Sequence, residues 1–225
     1  EEQVVAGENI KLFGIWGSGP TDIWTVGGDT NSGASGTAVH YDGVDWTEVT
    51  DLPAAATGGL LYKAWGSGAD DVWMVGTDAL LMHRDGAGSW RVDEPPVYAS
   101  VPLFTVSGCD SEVIAVGGFG NAAIARNDGL VWQDDSPPPA DVAPGFNGVA
   151  VDCERGTWAV GNGGAIWHRD GTWAPTGERP LTLLDFHGVW IDPEGGVWAV
   201  GGKLTVQTDG IVAYDGPNTI PTIEL

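Results

Sequence analysis

Gly14-Ile-Trp-Gly-Ser-Gly-Pro-Thr-Asp-Ile-Trp-Thr-Val-Gly27 returns in altered form four more times along this 225-residue chain. The further copies are Lys63–Gly76, Thr105–Gly117, Gly148–Gly161 and Gly188–Gly201. Successive equivalent positions are 49, 41, 44 and 40 residues apart, at Trp24, Trp73, Ile114, Trp158 and Trp198. A strand-rich period of about 40–50 residues is typical of the blades of a β-propeller.

A second hairpin follows each copy and is marked by an Asp-Gly pair between β-prone runs. In the first repeat it is Thr37–Val49, which turns at Asp42-Gly43. Glycine accepts the positive φ of a tight turn, so Asp-Gly is a strong hairpin signal. Equivalent Asp-Gly turns begin at Asp85, Asp128, Asp170 and Asp215. Four strands per repeat predict an all-β, five-bladed β-propeller with four antiparallel strands in each blade.

We expect residues 1–225 to form a single domain, because one blade cannot bury both faces of its sheet alone. The predicted blades are residues 12–50, 61–95, 103–137, 146–178 and 186–225. Propellers usually close by pairing strands from the chain ends, which protects the last open edge. The candidates are Thr219–Leu225, as outer strand of the fifth blade, and Gln3–Ala6 within an N-terminal closure segment, residues 1–11.

The composition excludes some classes of partner. The chain has 36 Gly and 12 Trp, and its formal charge of −22 comes from 31 acidic and nine basic residues. Nine basic residues cannot readily form the patch that nucleic acid or anionic lipid needs. No apolar run approaches the length of about 20 residues that spans a bilayer, so we expect no membrane insertion. The acidity indicates either solubility in a saline or extracellular setting, or attraction of cations or a basic partner.

The repeat resembles secreted bacterial propeller repeats of the photosystem II assembly-factor type and, more distantly, sialidase Asp-boxes. The residues that carry the resemblance are Trp-Ala-Val-Gly, an apolar strand, Asp-Gly and a following Trp, from about Leu12 to Asp215. Such folds serve as sialidases, lyases, lectins and assembly scaffolds, so the resemblance implies the blade and not the activity. Asp-boxes carry Ser or Thr two residues before the Asp, where this chain has His40, His83, Arg126, His168 and Ala213.

Two repeated polar sets are interpreted as structural. The turn Asp residues fix the Asp-Gly hairpins by accepting backbone hydrogen bonds, and the three equivalent histidines stabilise turns. A second acidic series lies in the first turn of the blades, and calcium is the cation that its oxygen ligands would suit. No run has the spacing of a calcium-binding loop, so we predict a solvated acidic rim and no metal or other cofactor. This series contains Asp22, Asp70, Asp71, Asp110, Glu112, Asp152, Glu154, Asp192 and Glu194.

The two cysteines occupy matching turns of adjacent repeats, since each lies four residues before the same strand position. We predict a disulfide between Cys109 and Cys153, which implies an oxidising compartment. No base is identifiable beside either one, so a nucleophilic role is not expected.

We expect ligands on the loop face, defined as the ends of the blades that carry the second-to-third strand loops and the blade-to-blade connections. Loops held by a rigid scaffold commonly carry binding residues, and here the connections hold most of the prolines. The ordinary alternative is that these prolines only end strands. The repeated tryptophans are interpreted as core between blades, whereas those on the innermost strands lie nearest the channel. The predicted ligand-binding residues are Asp29, Asn31, Tyr98, Asn121, Phe146, Asn162, Phe186, His187, Trp16, Trp65 and Trp190.

The sequence therefore predicts a secreted, periplasmic or cell-surface binding scaffold of bacterial type, monomeric, whose partner is a protein or a glycan. The first alternative is a lectin with sugar pockets between blades. The second is a glycosidase or polysaccharide lyase, which needs two carboxylates facing each other across a cleft. No such pair of carboxylates is identifiable in the sequence, and we predict no catalytic residue.

Overall fold

The computed structural model describes residues 9–31, 35–97, 100–137, 143–204, 209–216 and 223–224 of the chain. These residues form twenty β-strands, one four-residue helix, α1 (Ala54–Thr57), and a short 3-10 turn at Asn162–Gly164. No helix within these ranges is long and apolar enough to cross a membrane. The chain separates into two compact units, Glu1–Val106 and Ser107–Leu225.

The first unit contains two complete sheets and the start of a third. Each sheet is a meander of four consecutive antiparallel strands. Blade 1 consists of β1 (Ile10–Gly19), β2 (Asp22–Asp29), β3 (Gly36–Tyr41) and β4 (Trp46–Glu48). Blade 2 consists of β5 (Leu61–Gly68), β6 (Asp71–Gly76), β7 (Leu81–Arg84) and β8 (Trp90–Asp93).

The second unit contains the remaining sheets, with the unit boundary inside the first strand of blade 3. Blade 3 consists of β9 (Leu103–Cys109), β10 (Glu112–Gly117), β11 (Ala123–Asn127) and β12 (Trp132–Asp134). Blade 4 consists of β13 (Phe146–Asp152), β14 (Gly156–Gly161), β15 (Ile166–Asp170) and β16 (Thr172–Pro175). Blade 5 consists of β17 (Phe186–Ile191), β18 (Val197–Gly202), β19 (Gly210–Asp215) and β20 (Ile223–Glu224).

The fold class is an all-β, five-bladed β-propeller, as the repeat predicts. The outer strand of the fifth blade is β20, in which Ile223 pairs with Val212 and Glu224 with Ile211. The C-terminal candidate for this strand is therefore confirmed at Ile223 and Glu224, and the rest of Thr219–Leu225 lies outside the described residues. The competing candidate, Gln3–Ala6, lies outside the described residues.

Neighbouring blades within each unit pack through the second strand of one and the first strand of the next. In the first unit, Trp24 and Val26 of β2 form one buried cluster with Leu61 and Ala64 of β5. In the second unit, Val160 of β14 clusters in the same way with Phe186 of β17 and Ala199 of β18. Alternation along a strand directs every second side chain to one face, which is why a Trp-x-Val pattern in β2 serves this interface.

Candidate binding site

The first turn of blade 1 holds a polar cluster around Asp22. The Ser18 hydroxyl lies 2.5 Å from Asp22 Oδ2, and Trp24 Nε1 donates to Asp22 Oδ1 over 3.0 Å. His40 Nε2 lies 2.6 Å from the same Oδ1, and its ring stacks on Trp24 with the centroids 4.1 Å apart. Partial burial acts to raise the pKa of Asp22, but the hydrogen bonds from Ser18, His40 and Trp24 outweigh it, and the pKa lies below its usual value.

Blade 2 repeats this cluster at equivalent positions. Ser67 Oγ lies 2.6 Å from Asp71 Oδ2, His83 Nε2 contacts Asp71 Oδ1, and Trp73 stacks on His83 at 3.8 Å. In both blades the serine hydroxyl bonds to the carboxylate and not to the imidazole. A nucleophile–base–orienter chain needs the hydroxyl on the imidazole. We therefore assign both clusters to turn stabilisation, although they bond the histidine to the first-turn Asp and not to the Asp of the Asp-Gly turn.

The Asp-Gly turns of blades 1, 2 and 3 are held as the sequence predicts, by backbone N–H groups that donate to the Asp side chain. Asp42 Oδ1 accepts hydrogen bonds from the backbone N–H groups of Val44 and Asp45, over 2.8 and 2.9 Å. The bond from Asp45, followed by that from Val44, lowers the pKa of Asp42. In the first turn of blade 5, Asp192 Oδ1 accepts from the N–H groups of Glu194 and Gly196. Much of the hydrogen-bonding capacity of these carboxylates is thus used locally.

The described residues contain one group of three potential metal ligands within 4.8 Å of one another, namely Cys109, Asp110 and Cys153. The two cysteines form a disulfide, with their Cα atoms 5.5 Å apart. The predicted disulfide is therefore confirmed, and it joins the first turns of blades 3 and 4. That the acidic first turns form a solvated rim without bound calcium stays a prediction.

A cavity of about 700 Å³ opens at the loop face of the second unit. Its walls come from the loop between β10 and β11, the loop between β14 and β15, and the connection from β16 to β17. Apolar side chains predominate at the base and rim, where Glu178 and Arg179 are the charged residues. The apolar residues of the lining include Ala165, Ile166, Trp167, Pro175, Pro180 and Leu181.

Side-chain amides fix the loops around this cavity. Asn147 Nδ2 donates to the Phe186 carbonyl over 2.8 Å and to Asn162 Oδ1 over 3.2 Å. Asn162 Nδ2 donates to the Phe119 carbonyl over 2.9 Å, and Gly163 N donates to Asp185 Oδ1 over 2.8 Å. These bonds connect loops of three successive blades, so the cavity wall is formed before any ligand binds.

The base of the cavity is supported by buried aromatic packing. Phe146 is fully buried, and its ring lies 5.9 Å from that of Trp167 and 6.1 Å from that of Trp173. Asp135 Oδ2 accepts hydrogen bonds from Arg169 Nε over 2.7 Å and from Trp173 Nε1 over 2.9 Å. Trp173 is therefore fixed at both its apolar ring and its polar N–H.

The structure brings few of the predicted ligand-binding residues to this cavity. Asn162 lines it, whereas Phe146 and Phe186 are fully buried core residues and present no surface to a ligand. Both residues lie where a loop enters the first strand of a blade, which is why the sequence suggested a binding role. In the structure their large apolar side chains pack between blades instead. His187 is half-buried, and its Nε2 lies 2.9 Å from the Gly202 carbonyl.

The remaining predicted residues lie elsewhere. Asp29 accepts a bond from the Asn31 backbone N–H over 2.8 Å, and Asn121 is exposed in the loop between β10 and β11. Trp16 and Trp65 are partly buried on the first strands of blades 1 and 2, Trp190 is exposed on that of blade 5, and Tyr98 lies outside the described residues. Sequence reasoning identified the Pro-rich connections but missed their apolar residues, because Leu181 and Pro180 repeat in no other blade.

Comparison with known proteins supports the fold only. No protein-family model and no curated protein sequence matches this chain. Solved structures match over nearly all of it. "YCF48 bound to D1 peptide" is 18% identical with a TM-score of 0.66, covering 95% of this chain and 66% of that one. YCF48 from Cyanidioschyzon merolae is 17% identical with a TM-score of 0.66, covering 99% and 74%.

Virginiamycin B lyase from Staphylococcus aureus is similar too, at 16% identity and a TM-score of 0.72, covering 98% of this chain and 72% of that one. This chain thus spans about two thirds to three quarters of these neighbours. The resemblance to photosystem II assembly-factor propellers holds for the fold. Since a lyase and a peptide-binding protein share it, the fold does not select an activity.

Proposed function

We propose that this chain is a non-enzymatic binding scaffold, secreted or in the cell envelope, which takes an extended protein segment into the loop-face cavity. The observation that carries the proposal is the cavity itself. Its volume of about 700 Å³ lies in the range of about 300–1,000 Å³ typical of ligand sites. The side-chain amides of Asn147 and Asn162 fix its wall by hydrogen bonds. The loops would therefore lose little conformational entropy on binding.

The chemistry of the lining favours a peptide with an apolar anchor. Trp167, Pro175 and Pro180 offer the flat apolar surfaces on which extended, proline-containing segments pack. A Cβ atom placed on Gly163 would meet no other described atom within 4 Å, so this backbone is open to the main chain of a ligand. The formal charge of −22 favours a segment with Lys or Arg beside the anchor, because it accelerates encounter with cationic partners. A neighbour of the same fold solved with a peptide supports this class of ligand.

The alternatives have less support at this site. A glycosidase needs two facing carboxylic acids, whereas Glu178 is the one carboxylate among the described lining residues. A lectin with pockets between all blades needs a repeated aromatic and amide set, and the Asn147–Asn162 arrangement repeats poorly in the loop sequences. The disulfide between Cys109 and Cys153 supports an oxidising location.

The test is binding of the 225-residue protein to an array of 12-residue peptides, followed by titration of the strongest binder. Leu181→Glu places a charge on the exposed rim, and Ala165→Phe fills the cavity. Leu130→Glu, at a highly exposed position in the turn between β11 and β12, is the matched control.

We expect both cavity variants to weaken binding at least about tenfold, which corresponds to about 1.4 kcal/mol, and the control to leave it unchanged. No saturable peptide binding, or equal effects of Leu181→Glu and Leu130→Glu, would contradict the proposal. A parallel glycan array distinguishes the lectin: sugar binding that Leu181→Glu abolishes would replace the peptide as ligand.

A further inference from the structure

Within the described part of the chain, one face of blade 5 is more exposed than the equivalent faces of the other blades. The Val-Gly pair that ends the second strand recurs in every blade, and its valine is fully buried in the first four, at Val26, Val75, Val116 and Val160. In blade 5 the equivalent Val200 is 49% exposed, and Trp190 on the paired strand is 58% exposed. Val189, Trp190, Trp198 and Val200 line an apolar depression of about 490 Å³ on this face.

Blades 1 and 4 show which group packs against the equivalent face, at the glycine of the first strand. A Cβ atom placed on Gly14 would lie 2.7 Å from the Tyr62 carbonyl oxygen, on the first strand of blade 2. A Cβ on Gly148 would lie 3.2 Å from the His187 carbonyl oxygen, on the first strand of blade 5. On the equivalent Gly188, Val200 of the same sheet is the only group within 4 Å among the residues that the structure describes. The missing cover is thus the first strand of a following blade.

Blade 1 shows the reciprocal opening on its first strand. Leu12 and Ile15 are 42% and 62% exposed. Their equivalents in blade 2, Leu61 and Ala64, are fully buried against the second strand of blade 1. Large apolar side chains exposed together in this way are uncommon on soluble proteins and mark interaction surfaces.

We propose that each of these two faces, Trp190 with Val200 and Leu12 with Ile15, docks a further four-stranded blade of the same repeat. The repeat itself defines the chemistry of the partner: an apolar first strand for the blade 5 face, and a Trp-x-Val second strand for the blade 1 face. The solved neighbours extend beyond the part that matches this chain by about a quarter to a third of their length. At 40–49 residues per repeat, that length holds roughly two more blades.

Thiol reactivity tests the proposal. Val200→Cys and Val160→Cys each introduce a single free thiol, because Cys109 and Cys153 are bonded to each other. In the 225-residue protein we expect a maleimide to label Cys at 200 rapidly and Cys at 160 only on unfolding. A fusion that adds a second copy of residues 184–225 after Leu225 should then slow labelling at the original position 200 by at least about tenfold. The control fusion carries Phe186→Asp in the added copy and should restore rapid labelling.

A second fusion keeps the proposal testable if the first does not fold. It adds a copy of residues 9–60 before the chain and follows labelling of Ile15→Cys in the original copy. Cooperative melting confirms folding of each fusion, and light scattering reports the mass of the unfused protein.

Three results would overturn the proposal. The first is slow labelling at position 200 in the unfused monomer. The second is concentration-dependent protection with a dimer mass, which would make a second copy the occupant. The third is rapid labelling in folded fusions, or failure of both fusions to fold.

Discussion

The first turns of the blades and the loops at their opposite ends differ in how far their side-chain contacts repeat from blade to blade. In the first turns of blades 1 and 2, a carboxylate bonds to a serine hydroxyl and to a histidine, and the same geometry recurs. In blade 1 the indole N–H of Trp24 also donates to this carboxylate. Around the loop-face cavity, amide side chains hold apolar walls apart, and the sequence differs from blade to blade. We assign the repeated carboxylate clusters to stabilisation of the turns, whereas the residues that differ between blades enclose the cavity that we propose as the binding site.

The largest effect should come from removing the aromatic support of the cavity. Phe146→Ala deletes a fully buried ring that packs on Trp167 and Trp173, and we expect a loss of about 3–5 kcal/mol in the free energy of unfolding. Urea unfolding followed by tryptophan fluorescence measures it. Leu181→Ala, on the exposed rim of the same cavity, should cost less than about 0.5 kcal/mol. Equal losses would mean that the rim is also part of the core.

The disulfide on the turn side should have the next largest effect. Replacing Cys109 and Cys153 together by Ser opens a link between residues 44 positions apart, for which we expect a loss of about 2–4 kcal/mol. Thermal melts of the oxidised protein, the reduced protein and the double variant give the comparison. Reduction should lower the melting temperature of the native protein and leave that of the double variant unchanged. A melting temperature insensitive to reduction would show that the sheets alone fix these turns.

The smallest effect concerns the Asp22 cluster and depends on pH. The folded-state pKa of Asp22 lies below its unfolded value, so its contribution to stability is present above the unfolded pKa of about 3.9 and is lost as the pH falls through the folded pKa. Asp22→Asn should cost about 1–3 kcal/mol at pH 7 and reduce the loss of stability below about pH 4. Unfolding free energies between pH 2.5 and 7 provide the test.

Asp70→Asn, in the exposed first turn of blade 2, is the matched control and should change stability by less than about 0.5 kcal/mol. If both variants show the same pH profile as the native protein, the cluster around Asp22 does not stabilise the turn.

The sheets could be predicted from the sequence because their determinants are local and repeated. The Val-Gly pair, the Asp-Gly turn and the strand alternation each fix positions within one hairpin. Because the pattern occurs five times, a deviation in one copy does not obscure it. The disulfide followed for the same reason, since Cys109 and Cys153 occupy equivalent turns of adjacent repeats.

The cavity could not be predicted in the same way, because its walls come from residues that meet only in the tertiary structure. Leu181 has no repeat equivalent, whereas Ala165 occupies a position that other blades share, as Ala123 does in blade 3. Nothing in their local sequence places the two in one wall. Phe146 and Phe186 were predicted as ligand contacts from their loop-end positions. Their burial depends on the packing of the following strand, which a pattern of residue types does not specify. The exposure of Val200 is another tertiary fact, since its sequence context matches that of four buried valines.

Hydrogen exchange of the 225-residue protein, with and without the strongest peptide from the array, tests most directly whether binding occurs where the repeat breaks down. We expect slower exchange on binding in residues 118–122, 162–165 and 176–185, and unchanged exchange in the first turns at residues 18–22 and 67–71. Protection confined to the first turns, or distributed equally over both sets, would contradict it.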